Sequence, residues 1–191
     1  DFTGHEILLV KAHEQRCVLD FPDLYYSKST RRRARDLEIR VDADFDGCLA
    51  ATVAHHPDRW LTDSLCTTMS DLHRAPRHGV RFRSVEVYRG DRLVAGEVGY
   101  SCGRAYTSMS GFHRESGAGS VQLAALARLL EAAGFAFWDL GMAIEYKFRL
   151  GARLVDREPF LASYRRAAAE PTPPLPEAAA CDALLGYSST G

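Results

Sequence analysis

Residues Tyr106–Ala152 read YTSMSGFHRESGAGSVQLAALARLLEAAGFAFWDLGMAIEYKFRLGA and carry the strongest structural pattern in the chain. A β-like run ends at Phe112, a loop with two glycines follows, and an apolar-periodic helix then extends to Ala133. Gly134 is a typical helix stop, and the apolar run Phe135–Trp138 predicts a further strand. The stretch therefore predicts a strand, a glycine loop, a helix and a strand in succession.

The bulk composition favours a globular protein and excludes several classes. With 191 residues, 46% of them hydrophobic, the chain can bury a core in one domain or two small ones. The net charge of −1 means that any nucleic-acid binding must rest on a local patch. No apolar run approaches a membrane span and no signal pattern opens the chain, so we expect a cytoplasmic protein that does not enter a membrane.

The cysteines and histidines do not form a recognisable metal or disulfide pattern. The five cysteines are odd in number, widely spaced and without a C-x-x-C pair, which argues against a disulfide framework or a zinc knuckle. His55 and His56 are adjacent, and neighbouring residues cannot share one helix face. We therefore expect no metal site.

The chain upstream of the central stretch alternates strands and helices. Short apolar or alternating runs predict the strands Glu6–Ala12, Arg16–Phe21 and Glu38–Val41. Asp44 opens an apolar-periodic helix, and a second helix begins with Thr62 or Asp63 as its cap. Ser84–Tyr88 and Leu93–Cys102 then predict a hairpin.

These elements predict an α/β (α+β) fold in three parts. Residues 1–80 form a small N-terminal subdomain, which includes a basic helix capped by Ser27 or Ser29. Residues 81–169 contain the hairpin and the central stretch and form a second domain. Residues 170–191 begin with a Pro-rich, extended linker, EPTPPLP, and end in a tail expected to be flexible.

A set of short motifs in fixed order resembles one family, the leucyl/phenylalanyl-tRNA–protein transferases, whose catalytic half is GNAT-like. The resemblance covers His5 to Tyr164. The motifs are Arg16-Cys17-Val18-Leu19, Ser27-Lys28-Ser29, Trp60-Leu61-Thr62 with Leu72-His73, Ser84-Val85-Glu86-Val87, Leu93-Val94 with Gly96, Ser108-Met109, Arg114-Glu115, Gly134-Phe135, Asp139, Leu150-Gly151-Ala152, and Arg157 ahead of Phe160-Leu161.

The resemblance implies a GNAT-like acyltransferase fold and an aminoacyltransferase activity. Such enzymes move Leu, Phe or Met from a charged tRNA to the N-terminal amine of a protein, which marks that protein for degradation. The donor would be aminoacyl-tRNA without a cofactor, and the partners would be that tRNA and a protein or peptide N-terminus. The reaction is aminolysis of an activated ester, which requires alignment, a proton acceptor and stabilisation of an oxyanion.

The resemblance also assigns candidate catalytic residues. Asp139 would orient the acceptor amine or relay its proton. Backbone N–H groups near Ser108-Met109 and at Gly141 would hold the carbonyl oxygen. Tyr106, Met109 and Phe112 would line the pocket for the acyl side chain, although strand aromatics are more often part of the core.

A basic surface for the tRNA acceptor stem is predicted near the N-terminus. Its residues would be Lys28, Arg31, Arg32, Arg33 and Arg35, with Trp60 stacked on a terminal adenine. The alternatives are a solvated helix face for the arginines and a core position for the tryptophan.

Two departures from the family motifs favour a protein without catalytic activity. The family's catalytic-region glutamine is replaced by Gly141, and its glutamate by Thr107. A third hypothesis is therefore a GNAT-fold binding module that has lost catalysis.

The glycine loop favours another alternative, a CoA-dependent N-acyltransferase. Arg114-x-x-Gly117-x-Gly119, followed by Ser120, fits the loop with which GNAT acetyltransferases cradle the pyrophosphate of coenzyme A. In that alternative the donor is acyl-CoA, and Glu97 or His113 would be the general base.

Overall fold

A computed structural model of the chain describes residues 11–56 and 60–186. The predicted strand Glu6–Ala12 lies outside these ranges except for its last two residues, which belong to no regular element. No helix within the described ranges is long and apolar enough to cross a membrane.

The described residues form one eight-stranded sheet. The strands are β1 (Gln15–Leu19), β2 (Glu38–Val41), β3 (Val80–Arg89), β4 (Arg92–Cys102), β5 (Ala105–His113), β6 (Phe137–Gly141), β7 (Arg153–Asp156) and β8 (Ala178–Ala180). Their order across the sheet is β7-β1-β6-β5-β4-β3-β2-β8. Every neighbouring pair is antiparallel except β5 and β6, which are parallel.

Seven α-helices are described, and they confirm the α/β class predicted from the sequence. They are α1 (Lys28–Arg33), α2 (Phe45–His55), α3 (Asp63–Arg74), α4 (Ala118–Ala133), α5 (Glu145–Arg149), α6 (Arg157–Ala168) and α7 (Cys181–Leu184). Three predicted caps are confirmed: the side chains of Ser27, Asp44 and Thr62 each accept a backbone N–H from the first turn of α1, α2 and α3.

The two faces of the sheet are covered by different helices. On β4, the Glu97 side chain accepts a hydrogen bond from Gln122 of α4, while a β-carbon on Gly96 would touch Cys48 of α2. Successive strand residues point to opposite faces, so α4 and α2 lie on opposite sides of the sheet. Helices α1 and α7 pack beside α4, and α3 packs beside α2.

The predicted strand–loop–helix–strand unit is present as β5, α4 and β6. Gly134 ends α4 with a φ of +90°, which confirms the predicted stop. The second strand was expected over the apolar run Phe135–Trp138, but β6 begins at Phe137 and continues to Gly141. Asp139 therefore lies inside a buried strand, which is possible because its carboxylate is paired with a guanidinium.

Strands from all three predicted segments belong to the same sheet. β1 and β2 come from residues before 80, and β8, from the segment after 170, pairs with β2. Cys181 and Leu185 are buried in the main core, a packing that the sequence analysis did not predict. The division of the chain at residues 80 and 169 stays a prediction.

Gly151 fixes the chain between α5 and β7, and we expect its replacement to be costly. Its φ is +103°, and a β-carbon there would overlap the carbonyl oxygen of Asp23. Gly151→Ala should lower the free energy of unfolding by about 2–5 kcal/mol through backbone strain and overpacking. Gly90→Ala is the matched control, because Gly90 also has a positive φ but open space around it. Its cost should be only about 1–2 kcal/mol; equal urea midpoints for the two variants would contradict this account.

Candidate active site

The separation of β5 from β6 opens the main cavity near the predicted site. The two strands pair only at Ala105–Thr107 and Phe137–Asp139. Beyond that point β5 continues to His113 along β4, while β6 ends at Gly141. A cavity of about 900 Å³ lies where the strands part. Parallel strands that part leave backbone groups without ladder partners, which a bound substrate can use.

A bulge on β5 interrupts its register with β4 beside the cavity. Val98 of β4 faces Ser110 and Gly99 faces Ser108, so Met109 is the extra residue and has no Cα partner on β4. Met109 also lies past the last residue that pairs with β6. The sequence-predicted backbone segment Ser108-Met109 is thus placed on the cavity wall.

Asp139 is held by three neighbouring groups and is not among the residues that line the cavity. Arg16 of β1 donates two hydrogen bonds to its carboxylate, Nε to Oδ1 at 3.1 Å and Nη2 to Oδ2 at 2.7 Å. The Thr107 hydroxyl lies 3.2 Å from Oδ2. A two-pronged guanidinium–carboxylate pair is a strong, geometrically fixed contact. Asp139 therefore orders the end of β6.

The backbone N–H of Gly141 already has a partner inside the protein. Its backbone N–H donates to Asp139 Oδ1 at 2.9 Å, with a φ of +80° at the glycine. That N–H was predicted to hold the carbonyl oxygen of the donor, but it is already used. The physical reason is that the carboxylate of Asp139 curls back onto the strand end instead of facing the cavity.

A buried carboxyl does reach the cavity, and it is that of Glu97. Oε1 accepts hydrogen bonds from Ser108 Oγ at 2.6 Å and Tyr106 OH at 3.2 Å, and Oε2 accepts one from Gln122 Nε2 at 3.0 Å. Trp138 Nε1 donates to Ser108 Oγ at 2.8 Å, so the serine hydrogen is directed to Glu97. Burial raises the pKa of Glu97 above its ordinary value.

Lys147 is a second charged residue whose position only the structure shows. It is buried, and its ammonium donates to the carbonyls of Leu140 at 2.5 Å and Met142 at 2.9 Å. Burial lowers the pKa of Lys147. These bonds fasten the end of β6 to α5, and no spacing in the sequence reveals them.

The predicted acyl pocket is only partly assembled. Met109 and Phe112 line the cavity, together with Leu123 of α4. Tyr106 is not one of the described lining residues; it is buried in the core with its ring edge-on to Phe135. Its hydroxyl still contributes by donating to Glu97.

The predicted tRNA-binding residues lie on the surface beside the cavity. Lys28 and the four arginines 31, 32, 33 and 35 are exposed on and just after α1. A β-carbon on Gly117 would lie 2.6 Å from the Arg33 side chain, so the arginine helix touches the glycine loop. Trp60 is 43% exposed and lines the cavity.

The glycine loop caps α4 at the edge of the cavity. Gly117 is the N-cap with a φ of +82°, and Gly119 and Ser120 line the cavity. Arg114 turns away from the helix terminus: it donates to the Leu93 carbonyl and stacks over Phe112. The loop glycines thus lie beside the cavity, whereas the arginine predicted with them makes local contacts.

The splayed parallel pair β5 and β6, the bulge on β5 and the large cavity beside them match an α/β protein of the acyltransferase-like class. No group of three or more potential metal ligands occurs within residues 11–56 and 60–186.

Comparison with known proteins gives the family. The family model described as leucyl/phenylalanyl-tRNA protein transferase matches residues 18–165. A relative of that name from Roseobacter denitrificans is 32% identical over 171 residues, which cover 84% of this chain and 77% of the relative. A relative from Cupriavidus taiwanensis is 33% identical over 89% of this chain and 70% of its own length. A relative from Hahella chejuensis is 30% identical, and the match covers 84% of this chain and 69% of the relative. The chain belongs to the leucyl/phenylalanyl-tRNA–protein transferase family.

Removing the charge of Asp139 should weaken the fold. Asp139→Asn leaves Arg16 without its counter-charge and should cost about 2–3 kcal/mol of unfolding free energy, less than a fully buried pair because Arg16 is partly exposed. Thr107→Val, which removes only one neutral hydrogen bond to the same oxygen, should cost about 1 kcal/mol. Urea unfolding at neutral pH measures both; an Asp139→Asn variant as stable as the parent would refute the structural role.

Proposed function

We propose that this chain transfers an aminoacyl group from a charged tRNA to the N-terminal amine of a protein. Family membership is the observation that carries the proposal. The site residues below are assigned on geometric grounds.

The opening between β5 and β6 is a suitable place for the ester and the attacking amine. The bulge residues Ser108 and Met109 line the cavity, beyond the pairing with β6. Pre-positioned backbone N–H donors stabilise the oxyanion that forms when an amine adds to an ester carbonyl. We assign the oxyanion site to this bulge and not to Gly141.

Asp139 is assigned a positioning role. Its carboxylate is saturated by Arg16, Thr107 and the Gly141 N–H and does not line the cavity. It acts by keeping the end of β6 in place where the strands part. A direct proton relay by Asp139, as first expected, has no geometric support here.

The side chain of the aminoacyl group would lie against the apolar part of the wall. Met109, Phe112 and Leu123 line that part, which suits side chains of the Leu, Phe and Met type. The donor is aminoacyl-tRNA and no separate cofactor is proposed. Because charged tRNA is a cytoplasmic substrate, the proposal places the activity in the cytoplasm.

The acceptor stem would lie over α1 and the glycine loop. The contact between Arg33 and Gly117 makes the exposed arginines and the N-terminus of α4 one continuous basic surface at the cavity edge. Arginines and helix N-termini both attract phosphate. Trp60 on the cavity rim would stack on the terminal adenine.

The same loop was also a candidate for coenzyme A. Arg33 packs on Gly117 at the head of the loop, and Arg114 is directed to Leu93 and Phe112. The loop is therefore continuous with a much larger basic surface than a pyrophosphate needs. This favours an RNA backbone as its anionic partner.

A transfer assay tests the function directly. The protein is incubated with radiolabelled leucyl-tRNA or phenylalanyl-tRNA and a peptide that has a free N-terminus. We expect a labelled peptide, because the proposed reaction joins the aminoacyl group to that amine. An N-terminally acetylated peptide is the control and should remain unlabelled. Labelling from acetyl-CoA without labelling from charged tRNA would replace the proposal by the CoA-dependent alternative.

Charge reversal on α1 should weaken tRNA binding. We expect Arg32→Glu with Arg33→Glu to reduce affinity for tRNA about tenfold or more at low salt and to lower the slope of log K against log salt by about 1–2, because fewer counterions are released. Filter binding across a salt series measures both quantities.

The control makes the same change in charge on the other face of the sheet. Arg165→Glu with Arg166→Glu alters exposed arginines of α6, which packs on β1, β5 and β7. This pair should leave the salt slope unchanged. Equal losses from the two double variants would show that only the net charge matters and would remove the assigned surface.

A further inference from the structure

Glu97 is the single carboxylate among the described residues that line the cavity. It extends from β4 toward α4, and its side chain is surrounded by Tyr106, Ser108 and Gln122. The proposed roles of the bulge, Asp139 and the arginine helix leave this group without a function. Burying an ionisable group in a cavity costs desolvation free energy, and such a group in a cavity is a candidate for a functional role.

The hydrogen bonds of Glu97 leave one acceptor position open. A carboxylate offers about four lone-pair sites, two on each oxygen. Oε1 accepts from Ser108 and Tyr106, whereas Oε2 accepts only from Gln122. The remaining site is on Oε2, in a side chain that contributes to the cavity wall.

The cations of the cavity are committed to other groups. Arg16 is paired with Asp139, and Lys147 donates to the carbonyls of Leu140 and Met142. Among the described residues no salt bridge to Glu97 is formed. A bound ligand with a positive charge would supply the salt-bridge partner that no described residue provides.

An aminoacyl ester always carries such a charge, the α-ammonium group next to its carbonyl. The acceptor amine is a poorer occupant, because it must be neutral to attack and an ion pair would hold it protonated. The donor's own amine does not react and can stay charged throughout. Because the donor's α-ammonium group lies next to the ester carbonyl, the aminoacyl side chain can pack against the apolar wall at the same time.

We propose that Glu97 binds the α-ammonium group of the aminoacyl donor and so selects donors whose amine is free. The proposal rests on the proposed function and deepens it. N-acylated aminoacyl-tRNA, like the acetyl group of acetyl-CoA, lacks this charge and would leave the Glu97 carboxylate buried against a neutral group. A charge-assisted hydrogen bond corresponds to a selectivity of about 10–100-fold.

The test compares two stable probes that differ only at the amine. They are the amide-linked 3′-phenylalanylamino-3′-deoxyadenosine and its N-acetyl form, with affinities measured by calorimetry. We expect the parent protein to bind the free-amine form about tenfold or more tightly than the acetylated form. Glu97→Gln keeps the shape but removes the charge, so the ratio should fall to within about threefold.

Two variants separate recognition from general damage. Tyr106→Phe removes a donor to Glu97 but keeps the carboxylate, so the free-amine preference should persist even if the fold is weakened. Glu131→Gln removes an exposed carboxylate of α4 paired with Arg128 and should change neither affinity nor ratio. If Glu97→Gln fails to fold, equal binding of the two probes by the parent protein still overturns the inference.

The outcomes distinguish this inference from the function on which it rests. A parent protein that transfers from charged tRNA but binds both probes equally, or binds neither, overturns the role of Glu97 and leaves the function standing. Retention of the parent ratio by Glu97→Gln overturns it as well. A parent protein with a clear free-amine preference but no transfer activity keeps the amine site and overturns the proposed function.

Discussion

The ion pair between Arg16 and Asp139 is the contact on which the site depends. Arg16 comes from β1, Asp139 from β6, and Thr107, which approaches the same carboxylate, from β5. One buried charge therefore ties three neighbouring strands together at the level where β5 and β6 stop pairing. Without a cationic partner, an aspartate inside this strand would carry the full cost of desolvation. Both the position of the cavity and the stability of the sheet therefore depend on this ion pair.

Strand alternation divides the chemistry of the site between two faces. Thr107 turns to Asp139, whereas the next residue, Ser108, turns to Glu97 and Trp138 on the face covered by α4. The first network is saturated and orders the end of β6. The second retains an open acceptor position toward the cavity. Two carboxylates close in the fold consequently have different tasks, one structural and one directed at a ligand, because their hydrogen-bond partners differ.

The basic surface also depends on packing across the fold. Helix α1 lies beside α4, and Arg33 crosses the N-cap Gly117, where a side chain would obstruct it. Two physical constraints explain a glycine at position 117: its positive φ and the space that the Arg33 side chain occupies. A loop that resembles a phosphate cradle in isolation touches, in the folded chain, the arginine helix that we propose as the nucleic-acid surface.

Local signals in the sequence predicted the elements, because helix caps, the Gly134 stop and the strand periods need only neighbouring residues. The structure then selected Ser27 over Ser29 and Thr62 over Asp63 as caps. The motif order also determined the family, which the comparisons confirm. Tertiary structure alone decided which carboxyl faces the cavity. Asp139 forms an ion pair with Arg16, which is 123 residues away in sequence, and Glu97 reaches the cavity from a different strand, where it contacts Ser108. It likewise decided that Lys147 is buried and Tyr106 belongs to the core. Side-chain direction and long-range pairing are properties of the assembled sheet, and no spacing along the chain encodes them directly.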